Sequence, residues 1–253
     1  ENFDYIRNLF EQADNALNLS ISKIISDGPK EILDQTENTQ PALLTASVAL
    51  WEALQALREE PLNVKAMAGH SLGEYSALVC AGAISFADGV RLVRKRGELM
   101  QQAVPSGRGG MAAILGLDDA KVQECCAAVA GVVAAANYNA PGQIVIAGEK
   151  TAVADAIQAC KEAGAKRALA LDVSGPFHSP LMEPAAEEFS AVLSQVPVLM
   201  PATPVVQNVD ATVASSTWSA SQKFTHDMKL AAAEAIAESV TDISVDHILP
   251  QVL

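Results

Sequence analysis

Positive charge is scarce in this sequence: 17 lysines and arginines face 30 aspartates and glutamates, for a formal net charge of -13. A chain this acidic has no electrostatic basis for general binding to nucleic acid or to an anionic membrane, so neither is expected as a partner. An anionic protein partner has to dock on a local basic patch. Cysteine is also rare. The four, Cys80, Cys125, Cys126 and Cys160, lack metal-ligand spacing, and Cys125 and Cys126 are neighbours in a helical-looking stretch. That usage fits reduced thiols in a cytoplasmic protein, with no disulfide framework and no metal. No apolar run is long enough to span a bilayer, and no signal-peptide pattern is present. Internal repeats and low-complexity tracts are missing as well. The chain opens on Glu1 rather than methionine, so an N-terminal segment is expected to be absent.

What is present is an ordinary globular composition. Half of the 253 residues are hydrophobic and 19% are charged, enough for one large α/β domain or two smaller ones. The first hundred residues read mainly helical. "NFDYIRNLFEQADNAL" places Phe3, Ile6, Leu9 and Phe10 at helical spacing. "TQPALLTASVALWEALQAL" is a longer helix, with Pro41 suited to its first turn. "NVKAMAGH" is a short buried strand, "LGEYSALVCAG" a helix ending at Gly82, and "SFADGVRLVRKRGELMQQAV" a helix with Ser85 as N-cap.

Residues 110 to 172 form a block of their own. Strands "GMAAILGL", "VVAAANY", "GQIVIAGE" and "KRALALDV" alternate with helices "DDAKVQECCAAVA" and "KTAVADAIQACKEAGA". The order β-α-β-β-α-β is the split βαβ arrangement of a ferredoxin-like unit, read here as a small subdomain inserted in a larger α/β one. The chain returns with "SGPFHSPLMEPAAEEFSAVLSQV", a loop and helix, and the strand "TPVVQNVD".

Gly69-His70-Ser71-Leu72-Gly73 lies between the strand and the helix. G-x-S-x-G in that context is a nucleophile elbow: the glycines let strand and helix approach, and the serine is thrown out at the tip. The N–H of Leu72, at the helix start, can help hold an oxyanion. The competing reading is a turn with Ser71 as helix cap; the strand-elbow-helix context favours the nucleophile.

A serine needs a base. Of the four histidines, His70 adjoins Ser71 on the strand and points to the opposite face, so it reads as a packing or orienting group at the pocket. His178 sits in "SGPFHSPLM", a loop ahead of a helix that presents a side chain easily; His226 and His247 lie in a C-terminal stretch without other motifs. "RLVRKRGELM" carries Arg91, Arg94, Lys95 and Arg96. Spacing alone fits a solvated helix face; an inward Arg96 would instead suit bidentate capture of a carboxylate.

These segments, "AGHSLGEYSALVCAGAISFADGVRLVRKRGELMQQAVP", "NYNAPGQIVIAG", "GAKRALALDVSGPFHSPLMEPAA" and "PVVQNVD" above all, resemble bacterial malonyl-CoA:acyl carrier protein transacylases from near the N-terminus to about Asp210. The resemblance implies an α/β-hydrolase-like acyltransferase core in residues 1–104 and 173–253, with a ferredoxin-like small subdomain in 105–172. It implies that Ser71 is acylated, His178 is its general base and Leu72 lends an oxyanion N–H. Arg96 would grip the malonyl carboxylate, Gln40 and Asn139 would line the pocket beside His70, and Phe177 would match the bulky residue associated with malonyl use. The implied partners are malonyl-CoA and acyl carrier protein; no cofactor is required, and a monomer is expected.

Two departures qualify the match. Family members begin with a strand and a "GQGSQ" loop whose glutamine gives a second oxyanion donor, and this chain starts after that place. Beyond Asp210, "FTHDMKLAAAEAIAESVTDISVDHILP" looks instead like a malic-enzyme C-terminus, so residues 211 to 253 are expected to be foreign to the site. Two other readings stay open: an esterase or thioesterase using Ser71, an acid such as Asp210 and a late histidine, or an inactive truncated acyltransferase domain.

Overall fold

The computed structural model describes residues 4–208, apart from 61, 106 and 174. They form a mixed α/β structure with two separate apolar cores. The first hundred residues are helical, as the periodicity implies. Helix α1 (Asp4–Leu17) turns Leu9, Ala13, Ala16 and Leu17 onto the larger core. Two short helices, α2 (Ile21–Asp27) and α3 (Lys30–Leu33), follow where the sequence pattern is too brief to announce them.

Helix α4 (Thr36–Ala56) starts earlier than expected, so Pro41 is inside it rather than in its first turn. Proline has no N–H to return to the carbonyl four residues back, which leaves the Glu37 oxygen free. Arg94 repairs this: its Nη1 donates to Glu37 O at 3.2 Å, and the same side chain pairs with Asn38, Glu37 and Glu98. Arg94 lies on α6 (Phe86–Ala103), whose N-cap is Ser85 as read, its Oγ accepting from Asp88 N at 3.1 Å. Strand β1 (Met67–Ala68) and helix α5 (Gly73–Cys80) lie between α4 and α6 in sequence. Leu44 and Val48 of α4, Val90, Leu92, Val93 and Leu99 of α6, and Tyr75 and Leu78 of α5 are all buried together. Each such side chain contributes about 1.5–3 kcal/mol by leaving water.

The small layer follows the order read from the sequence: β2 (Gly109–Leu115), α7 (Asp119–Ala128), β3 (Val133–Ala140), β4 (Gln143–Glu149), α8 (Lys150–Glu162) and β5 (Arg167–Leu171). Its antiparallel sheet runs β3-β4-β2-β5. Period-2 alternation divides its faces. Ala112, Ile114, Ile144 and Ile146 face α7 and α8, where they pack with Cys125, Cys126 and Cys160. All four cysteines are free thiols; burial pushes Cys126 up to about 11 and Cys160 up to about 12, which leaves them unreactive. Met111, Val145 and Ala147 point the other way and meet Phe177.

The chain then makes a 3₁₀ turn (Pro180–Met182), α9 (Glu183–Leu193) and β6 (Val205–Val206). Phe189 of α9 and Val205 return to the larger core. Strand β6 runs parallel to β1, Met67 opposite Val205 and Ala68 opposite Val206. This pairing is shorter than the strand expected over 63–70, and it sets the loops after both strands side by side.

The crossing of α4 and α6 depends on Gly97. A Cβ there would lie 2.5 Å from Glu37 Cα and 2.8 Å from Glu37 N, backbone that has no room to yield. Gly97→Ala is therefore expected to lower the unfolding free energy by about 1–3 kcal/mol, read as a reduced denaturant midpoint at unchanged slope.

Candidate active site

The elbow is built by one close approach. A Cβ on Gly69 would fall 2.0 Å from Gly73 C and 2.5 Å from Glu74 N, so only glycine lets β1 run this near the start of α5. Gly73 differs from the expectation for paired glycines: a Cβ there would meet nothing within 4 Å, because it is its backbone, not its side-chain space, that is crowded. Between them Ser71 has φ 53°, the left-handed region that a non-glycine residue adopts only when its surroundings hold it there. His178 has φ 60°.

Those two strained residues meet. Ser71 Oγ and His178 Nε2 are 2.8 Å apart, the separation of a nucleophile and its base. His178 is half-buried, and burial, Arg96 and His70, in that order, push its imidazole down to about 3. It is neutral at physiological pH and ready to take a proton. His178, not His70, is the histidine paired with the Ser71 hydroxyl. His70 Nε2 lies 3.3 Å from Asn137 Nδ2, its ring is 6.4 Å from that of His178, and one edge stays exposed. Burial and the Arg96 charge also lower its pKa.

Arg96 points inward. It is buried, its Nη2 donates to Ser71 Oγ at 3.0 Å, and its Nη1 donates to Gln40 Oε1 at 2.7 Å. Its guanidinium carbon is 5.8 Å from the centre of the Tyr75 ring. Gln40 also holds the arginine in register, its Nε2 donating to Thr36 Oγ1 at 3.0 Å and Met100 Sδ at 3.6 Å. Arg91, Arg94 and Lys95, by contrast, pair with Asp88, Glu37 and Glu98. Spacing alone could not separate Arg96 from these neighbours.

Leu72 begins α5, and among the described residues no backbone carbonyl accepts its N–H. That donor is available to a developing oxyanion beside Ser71. Phe177 packs against Met111 and Val145 of the small sheet and against Met100, Val104 and Met182 of the larger layer. Asn139 is at the exposed end of β3, beside a register shift between Tyr138 and Ala140. The asparagine that reaches the site is Asn137, which pairs across to Val145 on the inward face. Sequence reasoning also missed Asn208, which bonds the Ser71 backbone. Nothing local ties it to a residue 137 positions earlier; only a buried polar residue two places beyond a buried apolar strand hints at it. Asp210, His226 and His247, the residues of the esterase reading, lie outside the described residues.

Residues 4–232 match the acyl transferase domain family, and the chain belongs to it. The match continues past Asp210, where the sequence resemblance had stopped. Within this family the chain is 53% identical over 211 residues to the malonyl CoA-acyl carrier protein transacylase of Salmonella typhimurium, covering 83% of this chain and 68% of that protein. It is 51% identical to a crystal structure of an acyl carrier protein S-malonyltransferase from Vibrio cholerae, at a TM-score of 0.77 over 82% of this chain and 68% of that one. A malonyl-transacylase solved with a type II polyketide acyl-carrier protein superposes at a TM-score of 0.86, with 44% identity, over 94% of this chain and 78% of its own.

The low pKa of His178 has a measurable consequence. Reaction of Ser71 with a fluorophosphonate probe should vary less than twofold between pH 8 and pH 5.5, because the base stays unprotonated. An imidazole titrating at its ordinary value would lose about tenfold over that range.

Proposed function

We propose that this chain transfers a malonyl group from malonyl-CoA to the phosphopantetheine thiol of acyl carrier protein, as a step of fatty acid synthesis. His178 Nε2 takes the Ser71 proton as Oγ attacks the thioester carbonyl. The Leu72 N–H meets the oxyanion, the C–S bond breaks, and the CoA sulfur leaves with the proton returned by His178. The malonyl-serine ester is then attacked by the carrier thiol through the same steps in reverse, the proton again passing through His178. Each step moves only a proton and an acyl group, so no metal or redox cofactor is required.

One observation carries this reading: a buried arginine beside the nucleophile whose hydrogen-bond partners, Gln40 and Ser71, are both neutral. A guanidinium out of water calls for an anion. A malonyl group esterified to Ser71 brings a carboxylate to that fork, and an acetyl group does not.

The same reading takes the fold as an α/β-hydrolase-like core, residues 1–104 and 173–253, with a ferredoxin-like insertion at 105–172. The strand order and the two separate cores support it. It takes the protein as a cytoplasmic monomer that binds neither nucleic acid nor membrane, in keeping with its acidity. Among the described residues, no helix is long and apolar enough to cross a bilayer.

Incubation with malonyl-CoA should add one malonyl group, seen by intact mass and mapped to Ser71; a chain that gains no adduct would sink the proposal. Arg96→Ala should cost malonyl transfer about 1.5–3 kcal/mol more than acetyl transfer, roughly ten- to hundredfold in relative kcat/KM. Equal losses for the two groups would remove Arg96 from the carboxylate.

The acidic carrier needs a positive rim. Arg91, Arg94 and Lys95, one of two candidate clusters, are neutralised by their carboxylate partners. The other is Lys161, Lys166 and Arg167, all exposed and, among the described residues, outside every ion pair. Arg167 opposes Leu115, two residues along β2 from Ala113, which shares its register row with Val145 and Asn137 in front of His70. Charge reversal at Lys166 and Arg167 should raise the KM for acyl carrier protein several-fold at low salt, less at high salt, and leave acylation by malonyl-CoA unchanged. An unaltered carrier KM at low salt would place the docking surface elsewhere.

A further inference from the structure

The G-x-S-x-G segment does not hold its own serine in place. The residue that does is Asn208, just past β6. Its Oδ1 accepts the Ser71 N–H at 2.7 Å. Its Nδ2 donates to the Gly69 carbonyl at 2.7 Å and to Glu74 Oε2 at 2.7 Å. Its backbone N–H donates to the same carboxylate oxygen at 3.1 Å. The amide orientation is dictated by chemistry: an N–H can only donate, and a carbonyl can only accept. One buried amide thus ties the residue before the elbow, the elbow itself and the first turn of α5 into a closed ring.

We infer that Asn208, anchored by Glu74, is a positioning residue for the nucleophile. This rests on the reading of Ser71 as the acylated residue. The left-handed φ of Ser71 is strained for a residue with a side chain, and the hydrogen bond from its own N–H is what retains it. With the backbone so fixed, Oγ lies between His178 Nε2 and Arg96 Nη2, 2.8 and 3.0 Å away. The bond also removes the Ser71 N–H from the set of oxyanion donors and leaves the next N–H, that of Leu72, facing the reacting carbonyl. The clamp therefore sets both where the nucleophile is and which amide receives the negative charge.

Substitution by aspartate tests this, since Asn208→Asp keeps the acceptor and the shape. It loses both side-chain donors and sets a second carboxylate against Glu74. At pH 8 the rate constants for malonyl-CoA acylation and for fluorophosphonate labelling of Ser71 should both fall at least tenfold, with the dissociation constant for malonyl-CoA within twofold of the parent. Two facing carboxylates share a proton on acidification, so the deficit should shrink from pH 8 to pH 6, where the parent rate is flat. Adding Glu74→Gln restores an amide to the pair and should recover at least threefold while abolishing that pH dependence. Asn208→Ser, which removes the amide without adding charge, should label at least tenfold slower at every pH.

The proposal is overturned by an Asn208→Ser chain that labels at the parent rate, by a pH-independent deficit in Asn208→Asp, or by no recovery in the double variant. If Asn208→Asp does not fold, judged by its thermal transition, Asn208→Ser alone decides. Labelling needs no acyl substrate. A parent chain that labels but takes up no malonyl group refutes the functional reading and leaves the clamp to be judged by the labelling ratios.

Discussion

A buried guanidinium is the requirement around which the larger layer is organised. Arg96 has left water and, among the described residues, lacks an ionic hydrogen-bond partner, so its desolvation is met by aligned dipoles. Gln40 supplies one, and Gln40 is itself aligned by Thr36 and Met100. That chain of contacts exists only because α4 and α6 touch backbone to backbone at Gly97. Pro41 opens the α4 ladder one residue beyond Gln40, and Arg94 closes it again from α6. Two arginines on one helix thus do opposite things: Arg94 completes a backbone and pairs with carboxylates, and Arg96 is buried with no carboxylate in direct contact among the described residues, Glu74 acting on it only from a distance.

Ser71 and His178 are held by different means. Ser71 is fixed by a ring of hydrogen bonds from the end of β6. His178 is fixed by packing and by the turn that follows it, where Ser179 Oγ donates to Pro176 O at 2.6 Å. Both carry left-handed backbone. The strain in each is paid locally, and neither depends on a carboxylate behind the imidazole among the described residues. The low pKa of His178 follows: burial beside a cation, with nothing negative to restore the proton.

Much of this was legible in the sequence. Period-2 and period-3.6 patterns gave the order of the small layer and most helices, because each element buries one face against a local partner. Ser71 was legible because glycine spacing, an apolar strand and a helix converge on it. The register of the asparagines was not. The shifts in β3 place Asn137 inward and leave Asn139 exposed, and a bulge has no composition of its own. Gln40, Arg96 and Asn208 were indistinct in their own segments, since their roles arise from contacts 56 and 137 positions away. Helix spacing could say that Arg96 differs in direction from Arg91, but not which direction was the core.

Phe177 joins two things that other positions keep apart. It packs on apolar side chains of both layers, and the next residue is His178, whose Nε2 meets the Ser71 hydroxyl. A smaller side chain there would leave a gap against Met111 on one side and against Met100 and Met182 on the other, next to the imidazole that meets Ser71. Packing at position 177 and placement of the imidazole at 178 are thus one property of the loop rather than two.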